Sequence, residues 1–235
     1  MQKKVSIILT TYNEADFIEN TINQIFKHIH DVEIILIDDN STDGTLEKVK
    51  SINNPNLIIF SRKSRGLASA FLLGLINSSS EIVGWVDSNM PYLIKNYPKM
   101  ISKLVDNDIV ILSRYIDGST DERNKFRIFA SYFLNKFSKI VLQSKINDLT
   151  SGLFVMKRNV LTDATPIAYG HGEWFVEFLY RAEQKNRKIL ELPYNHHVDI
   201  TGNSKTFLNL FRFSLFGLFY VLRLFRTLFK RQGQR

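Results

Sequence analysis

Four polar clusters stand out, and each follows a short apolar run. Thr10-Thr11-Tyr12-Asn13-Glu14 follows Val5–Leu9, and Asp38-Asp39-Asn40-Ser41-Thr42-Asp43 follows Glu33–Ile37. Asp87-Ser88-Asn89 follows Ile82–Val86, and Ser113-Arg114-Tyr115 follows Ile109–Leu112. Carboxylates in such loops suit the base and ribose of a nucleotide, a task that fits Asp39 and Asp87. A diphosphate asks for a metal or for basic side chains, and Arg65-Gly66, Arg114 and Arg127 answer that need. There is neither a Gly-x-Gly-x-x-Gly nor a Gly-Lys-Ser/Thr loop, so dinucleotide and P-loop cradles are absent. One such cluster alone would read as a helix cap, as Asp43 and Ser113 can. Four of them after four strands point instead to a single site.

Those runs are short and rich in Val and Ile, as buried strands are, and Leu57–Phe60 is a further one. Between them, residues 15–28, 44–51, 67–77 and 94–105 carry apolar side chains at helical spacing. Alternation of this kind predicts an α/β fold with a mostly parallel sheet, whose ligands bind beyond the carboxyl ends of the strands. After Tyr115 the pattern predicts a helix over 122–142, a strand over Gly152–Met156, a helix over Glu173–Gln184 and a closing strand at Ile189–Leu192. The boundary falls near Gly202–Lys205, giving a catalytic domain over 1–204 and a tail over 205–235.

The 235 residues hold 31 Lys and Arg against 23 Asp and Glu, with no Cys, which excludes disulfides, thiolate nucleophiles and Cys-based metal sites. Seven of those basic residues lie beyond residue 200, where there is no acid, so the first 200 carry 24 against 23. The basicity belongs to the tail, which argues against nucleic acid as a partner. At the start, Lys3 and Lys4 precede an apolar run too short for a secretory signal.

Val5–Glu14, Ile34–Gly44, Arg65–Gly74, Val86–Pro91 and Ser113–Tyr115 resemble glycosyltransferase family 2, whose fold is GT-A. Asp148-Leu-Thr-Ser151-Gly152-Leu-Phe and Tyr169-Gly-His-Gly-Glu173-Trp-Phe are similar to its polyprenyl-phosphate branch, the dolichyl-phosphate mannose and glucose synthases. The resemblance covers about residues 3–205. It implies transfer of a hexose from a nucleotide sugar to a polyprenyl phosphate. Thr11, Tyr12, Glu14, Asp39, Arg65 and Gly66 would then hold the donor, and Asp87 with Asn89 a divalent cation, Mg²⁺ or Mn²⁺. It also implies that Arg114, Arg127 and Ser131 receive the lipid phosphate, with Ser151 and Glu173 nearby, and that Lys205 belongs to a loop closing over the donor. Two stretches depart from the family pattern, and in the first of them Pro91 also stands where a Gln ligand is common. Asn89 replaces the second acid of Asp-x-Asp and so offers a hard cation a neutral oxygen. Asp199 and Thr201 stand where arginines usually precede the closing loop.

A phosphomonoester with its second pKa near 6 is already a nucleophile at neutral pH, so no general base is required. The implied reaction needs positive charge between two phosphates, and inverts the sugar by in-line attack. Arg114→Ala and Arg127→Ala are therefore expected to cost activity rather than fold. Were the acceptor a hydroxyl, Glu173 or Asp148 would have to act as base. Glu173 reads equally well as a helix-dipole partner. His196 and His197 read as loop residues, with a second role as charged donors when protonated.

Phe207–Phe229 holds seven Phe and seven Leu, but its longest charge-free run is the ten residues Phe213–Leu222, too short to span a bilayer. On a helix, Lys205, Arg212, Arg223, Arg226 and Lys230 share one narrow sector. That pattern predicts a helix lying in the membrane interface with its cations at lipid headgroups, on the cytoplasmic face. The rival reading packs this helix on the catalytic domain.

Overall fold

A computed structural model of the chain describes residues 4–197 and 220–227. Seven strands form one sheet: β1 (Val5–Thr11), β2 (Val32–Asp38), β3 (Leu57–Ser61), β4 (Ile82–Trp85), β5 (Ile109–Ser113), β7 (Phe154–Lys157) and β8 (Ile189–Pro193). Their order is β3-β2-β1-β4-β7-β5-β8. Neighbours pair in parallel except β7, which runs antiparallel to both β4 and β5. The expected mostly parallel sheet is present, with one reversed strand that apolar runs alone do not announce. Two short strands, β6 (Thr120–Asp121) and β9 (Asn195–His196), form a separate parallel pair that the sequence pattern does not signal.

β1 pairs with β2 on one side and β4 on the other, so the chain reverses its direction of winding there. β1, β2, β4 and β5 all end at the same edge, which brings the four polar clusters together. Alternation along β1 sends Ile7 and Leu9 into one core and Ile8 into the other, as expected for a sheet covered on both faces.

Helices α1 (Ile18–His28), α2 (Thr45–Ser51) and α4 (Tyr97–Lys103) contribute to the first core, and α3 (Leu67–Ile76) and α6 (Glu173–Gln184) to the second. In α1 the buried residues are Ile18, Thr21, Ile22 and Ile25, one stripe at helical spacing. Each fully buried Ile there is worth roughly 1.5–3 kcal/mol of transfer free energy. In α6 the second core includes a stack of aromatic rings: Trp174 lies 4.8 Å from Phe71 and 5.3 Å from Trp85.

α5 (Lys125–Leu142) begins where Asn124 accepts from the Phe126 amide at 2.9 Å, and ends at Gln143 with φ 53. It buries Asn135, Ser138 and Leu142, while Phe129, Phe133 and Ile140 stay 67, 63 and 66% exposed. A helical segment over 220–227 lies against α6, with Leu224 in the second core. Within it the expected outward sector of cations is split: Arg226 is exposed, whereas Arg223 turns inward. Arg223 is buried against Glu177, and Leu222 and Phe225 face outward. A carboxylate inside α6 draws this arginine in, which helical periodicity in the tail cannot reveal. The rest of the tail, Lys205 included, lies outside the described residues. Among the described residues no helix is long and apolar enough to cross a membrane.

Candidate active site

The loops after β1 and β2 are tied to each other. The Asn13 amide donates to Ser41 Oγ at 2.9 Å, the Thr42 amide to Asn13 Oδ1 at 2.8 Å, and the Glu14 amide to Thr45 Oγ1 at 2.9 Å. Asp38 accepts from the Ser41 amide, and Asp43 from the Ala15 amide, so these two acids build the loops. Asp43 is held below its usual range by these hydrogen bonds, although burial opposes the shift.

Asp39 lies at the centre of a network the sequence reading did not contain. Its carboxylate pairs bidentately with Arg62 at 2.5 and 3.0 Å and accepts from the Gly66 amide at 2.9 Å. Arg62 also donates to the Gly66 carbonyl at 2.6 Å, so Asp39 and Gly66 meet as expected, through an arginine that no motif flagged. Arg65 places its guanidinium 3.5 Å from the centre of the Tyr12 ring. Thr11 is buried, and its hydroxyl has no hydrogen-bond partner among the described residues.

Asp87 follows β4, with the half-buried Asn89 two residues on. Burial, reinforced by Glu14, pushes the Asp87 carboxyl up to about 6, while Arg114 pulls the other way. No hydrogen bond reaches this carboxylate from the described residues. The donor set therefore fits a cation that takes one carboxylate and one neutral oxygen from the protein and its remaining oxygens from phosphate and water. Among the described residues no group of three or more His, Cys, Asp or Glu is placed to hold a metal.

Arg114, at the end of β5, is locked. Its amide and Nε donate to Asp148 Oδ2 at 2.9 and 2.8 Å, and Nη2 reaches Asp148 Oδ1 and Thr150 Oγ1 at 2.8 Å each. Asp148 holds the guanidinium well above its usual range against the opposing effect of burial. Asp148 is itself fixed by Glu191 on β8, which accepts from the Asp148 and Asn147 amides at 2.9 and 2.8 Å. For the expected role of Arg114 at the acceptor phosphate this leaves one side only: a carboxylate occupies one edge of the fork, and Nη1 lies on the Ser131 side at 3.5 Å. The expectation that Arg114→Ala would spare the fold falls for the same reason, since the pair is buried. Asp148 as a general base is excluded by its ion pair.

Ser131, on α5, meets the Tyr115 hydroxyl at 2.8 Å, so Arg114, Tyr115 and Ser131 come together as expected. His196, on β9, records the local charge. Burial pushes its ring down to about 4, and Arg123, Arg114 and Arg127 reinforce this against Asp121. Arg127 is half-buried rather than on a solvated face. Arg123, bidentate to Asp121, is a member of the cluster that sequence reasoning missed. His196 is neutral near pH 7, so its expected second role as a charged donor is corrected. His197 lies 3.1 Å from Glu122 and is exposed.

Ser151 donates to the Leu112 carbonyl and accepts from the Leu153 amide at 3.3 Å, which splices β5 to β7. Glu173, at the start of α6, is buried and accepts from the His171 amide at 2.9 Å. It borders a cleft of about 390 Å³ shared by Tyr169, His171, Leu222, Arg223 and Arg226. A larger cavity of about 650 Å³ opens at the opposite ends of the strands, beside Ile82 and Lys157, away from every polar cluster.

An open α/β sheet with acids and arginines at its carboxyl edge has the GT-A-like arrangement. Among solved structures, glucosyl-3-phosphoglycerate synthase of Mycobacterium tuberculosis with UDP superposes at TM-score 0.71 and 19% identity, over 96% of this chain and 80% of that one. The same enzyme with Mn²⁺, UDP and phosphoglyceric acid superposes at 0.70 and 18% identity, over 96% and 78%. The family model for glycosyl transferase family 2 matches residues 6–164, and the chain belongs to that family of glycosyltransferases. It is 29% identical over 212 residues to a dolichol-phosphate mannosyltransferase of Pyrococcus furiosus, across 86% of this chain but 59% of that protein. It is 26% identical to a polyprenol monophosphomannose synthase of Mycolicibacterium smegmatis, across 81% and 76%.

Proposed function

We propose that the protein transfers a hexose, with inversion, from a nucleotide sugar of the GDP-mannose or UDP-glucose type to a polyprenyl or dolichyl phosphate. The observation that carries this reading is the arginine cluster beside Asp87, whose positive charge helps hold His196 down at about 4. Such a cluster suits a phosphate acceptor. The names of the two mannosyl-transferring relatives support the same class of acceptor.

In this reading Tyr12, Glu14 and the Asp39–Arg62–Gly66 network shape the nucleoside end. Asp87 and Asn89 would hold a divalent cation, which neutralises the leaving diphosphate. The acceptor dianion is drawn between Arg127, Ser131 and the free edge of Arg114, and needs no base. A bond forms from its oxygen to the anomeric carbon as the bond from that carbon to the donor diphosphate breaks. Lys205 belongs to the donor-closing loop. For a hydroxyl acceptor the commitment of Asp148 to Arg114 leaves Glu173 as the remaining candidate base.

The catalytic domain over 1–204 is read as sitting on the cytoplasmic membrane face through the 205–235 tail. The outward Phe129, Phe133, Leu222 and Phe225 are consistent with that placement. The test is transfer of labelled sugar into an organic-extractable lipid by detergent-purified protein, with GDP- and UDP-sugars, polyprenyl phosphate, and Mg²⁺, Mn²⁺ or chelator. A mild-acid-labile product from one donor is expected. Absence of product across the panel, with nucleotide binding intact, would overturn the reading.

A further inference from the structure

The 220–227 helix turns one of its two arginines, Arg223, inward and leaves Arg226 exposed. Arg223 and Thr227 are 6 and 5% exposed, and Leu224 beside them is 1% exposed. Arg223 Nη1 pairs with Glu177 Oε2 at 3.1 Å, and Nη2 donates to the Tyr169 carbonyl at 2.6 Å. Its guanidinium lies 4.4 Å from the centre of the Tyr169 ring, and that of Arg226 lies 5.0 Å from the same ring. One arginine therefore holds a single residue by both its backbone and its side chain.

That residue begins the loop that ends at Glu173. From Thr165 to Gly172 the chain has neither helix nor strand. Gly170 has φ +109, and a Cβ there would stand 2.7 Å from Arg223 Nη2. The Gly170 carbonyl accepts from the Ala68 amide at 3.3 Å, in the first turn of α3, next to the Gly66 that Asp39 holds. Tyr220 is half-buried with its hydroxyl beside Gly172, where a Cβ would collide with it, and burial with Glu173 pushes that hydroxyl upward. The helix therefore reaches the loop, and the loop in turn reaches the start of α3.

We infer that Arg223 is a positioning residue for sugar transfer: by gripping Tyr169 it sets the Tyr169–Glu173 loop against the first turn of α3, beside the Gly66 that Asp39 holds, so transfer requires the 220–227 helix in place. The inference rests on the proposed transfer to a lipid phosphate. A purely stabilising role fits less well, because Glu177 keeps a second partner, Arg181 Nη2 at 2.5 Å, when Arg223 is removed. Loss of Arg223 then leaves Glu177 paired with Arg181 but frees the loop. Displacements near 1 Å at a reacting centre are enough for losses of about 100-fold.

The experiment uses the full chain in detergent, with Arg223→Ala, Arg223→Lys and Glu177→Gln. Arg223→Ala is expected to lower kcat about 10- to 100-fold with KM for the donor unchanged, and to speed chymotrypsin cleavage at Tyr169. Arg223→Lys has no fork to span Tyr169 and Glu177 together, so it restores the melting temperature but not kcat. Glu177→Gln keeps the grip on Tyr169 and stays within about threefold of the unaltered protein. The inference is overturned if Arg223→Ala stays within threefold in kcat, or if all three variants lose kcat in proportion to melting temperature. If the unaltered protein glycosylates no polyprenyl phosphate, the functional reading fails by itself. Cleavage at Tyr169 then still decides the latch: faster cutting in Arg223→Ala upholds it, and unchanged cutting rejects it.

Discussion

Two acids of the site pull in opposite directions. Asp148 is satisfied, so breaking its pair with Arg114 strands a buried charge. Arg114→Ala is expected to cost about 3–5 kcal/mol in denaturant melts, and the double variant Arg114→Met/Asp148→Leu to recover most of that while remaining inactive. Asp87 is the reverse case. Its folded pKa of about 6 lies above the ordinary 3.8, so the native state holds this proton more tightly than the unfolded chain. Its contribution to stability is complete below about 3.8 and is lost as pH rises through 6, at most about 3 kcal/mol. Asp87→Asn should therefore melt several degrees higher than the unaltered protein at pH 7.5, with about two thirds of the gain gone by pH 4.5, and should be inactive. An equal gain at both pH values would refute this. The sequence marks Asp87, Arg114 and Arg127 because loop acids and cations after strands are a local signal. It hides Arg62 and Arg123 because their importance comes from partners, and Asp39 shares no helical or strand periodicity with Arg62.

At the scale of elements, seven predicted strands and six predicted helices are present, because burial on both faces writes apolar runs directly into the chain. The direction of β7 is not written there. A four-residue apolar run looks the same either way, and the reversal comes from the return path after α5. Packing between α3 and β1 is similarly invisible in sequence but tight in space. A Cβ at Gly74 would stand 2.5 Å from Ile8 Cγ2. Gly74→Ala should cost about 1–3 kcal/mol in spite of better helix propensity, and Ile8→Ala, which removes Cγ2, should return part of that cost in the double variant. Denaturant midpoints of the four proteins decide it, and strictly additive costs would refute the clash.

For the whole molecule, the two faces of α5 separate two tasks. One face carries Ser131 toward Arg114, and the other leaves Phe129, Phe133 and Ile140 to the outside. Phe129→Glu/Phe133→Glu should preserve the melting temperature within a few degrees and lower co-flotation with anionic vesicles several-fold. Unchanged flotation would assign membrane contact elsewhere. The strand order also has a temporal side. The portion β3-β2-β1-β4 is complete once residue 85 has been made, whereas the strand that covers β4 begins at Phe154. During synthesis Ile82–Trp85 therefore waits as a bare, apolar edge while some seventy residues are added, an interval in which a growing chain is open to mispairing with its neighbours. β7 is in this sense a stopper: its arrival closes the edge, joins the two halves of the sheet and ends the period in which the nascent chain is most prone to aggregate.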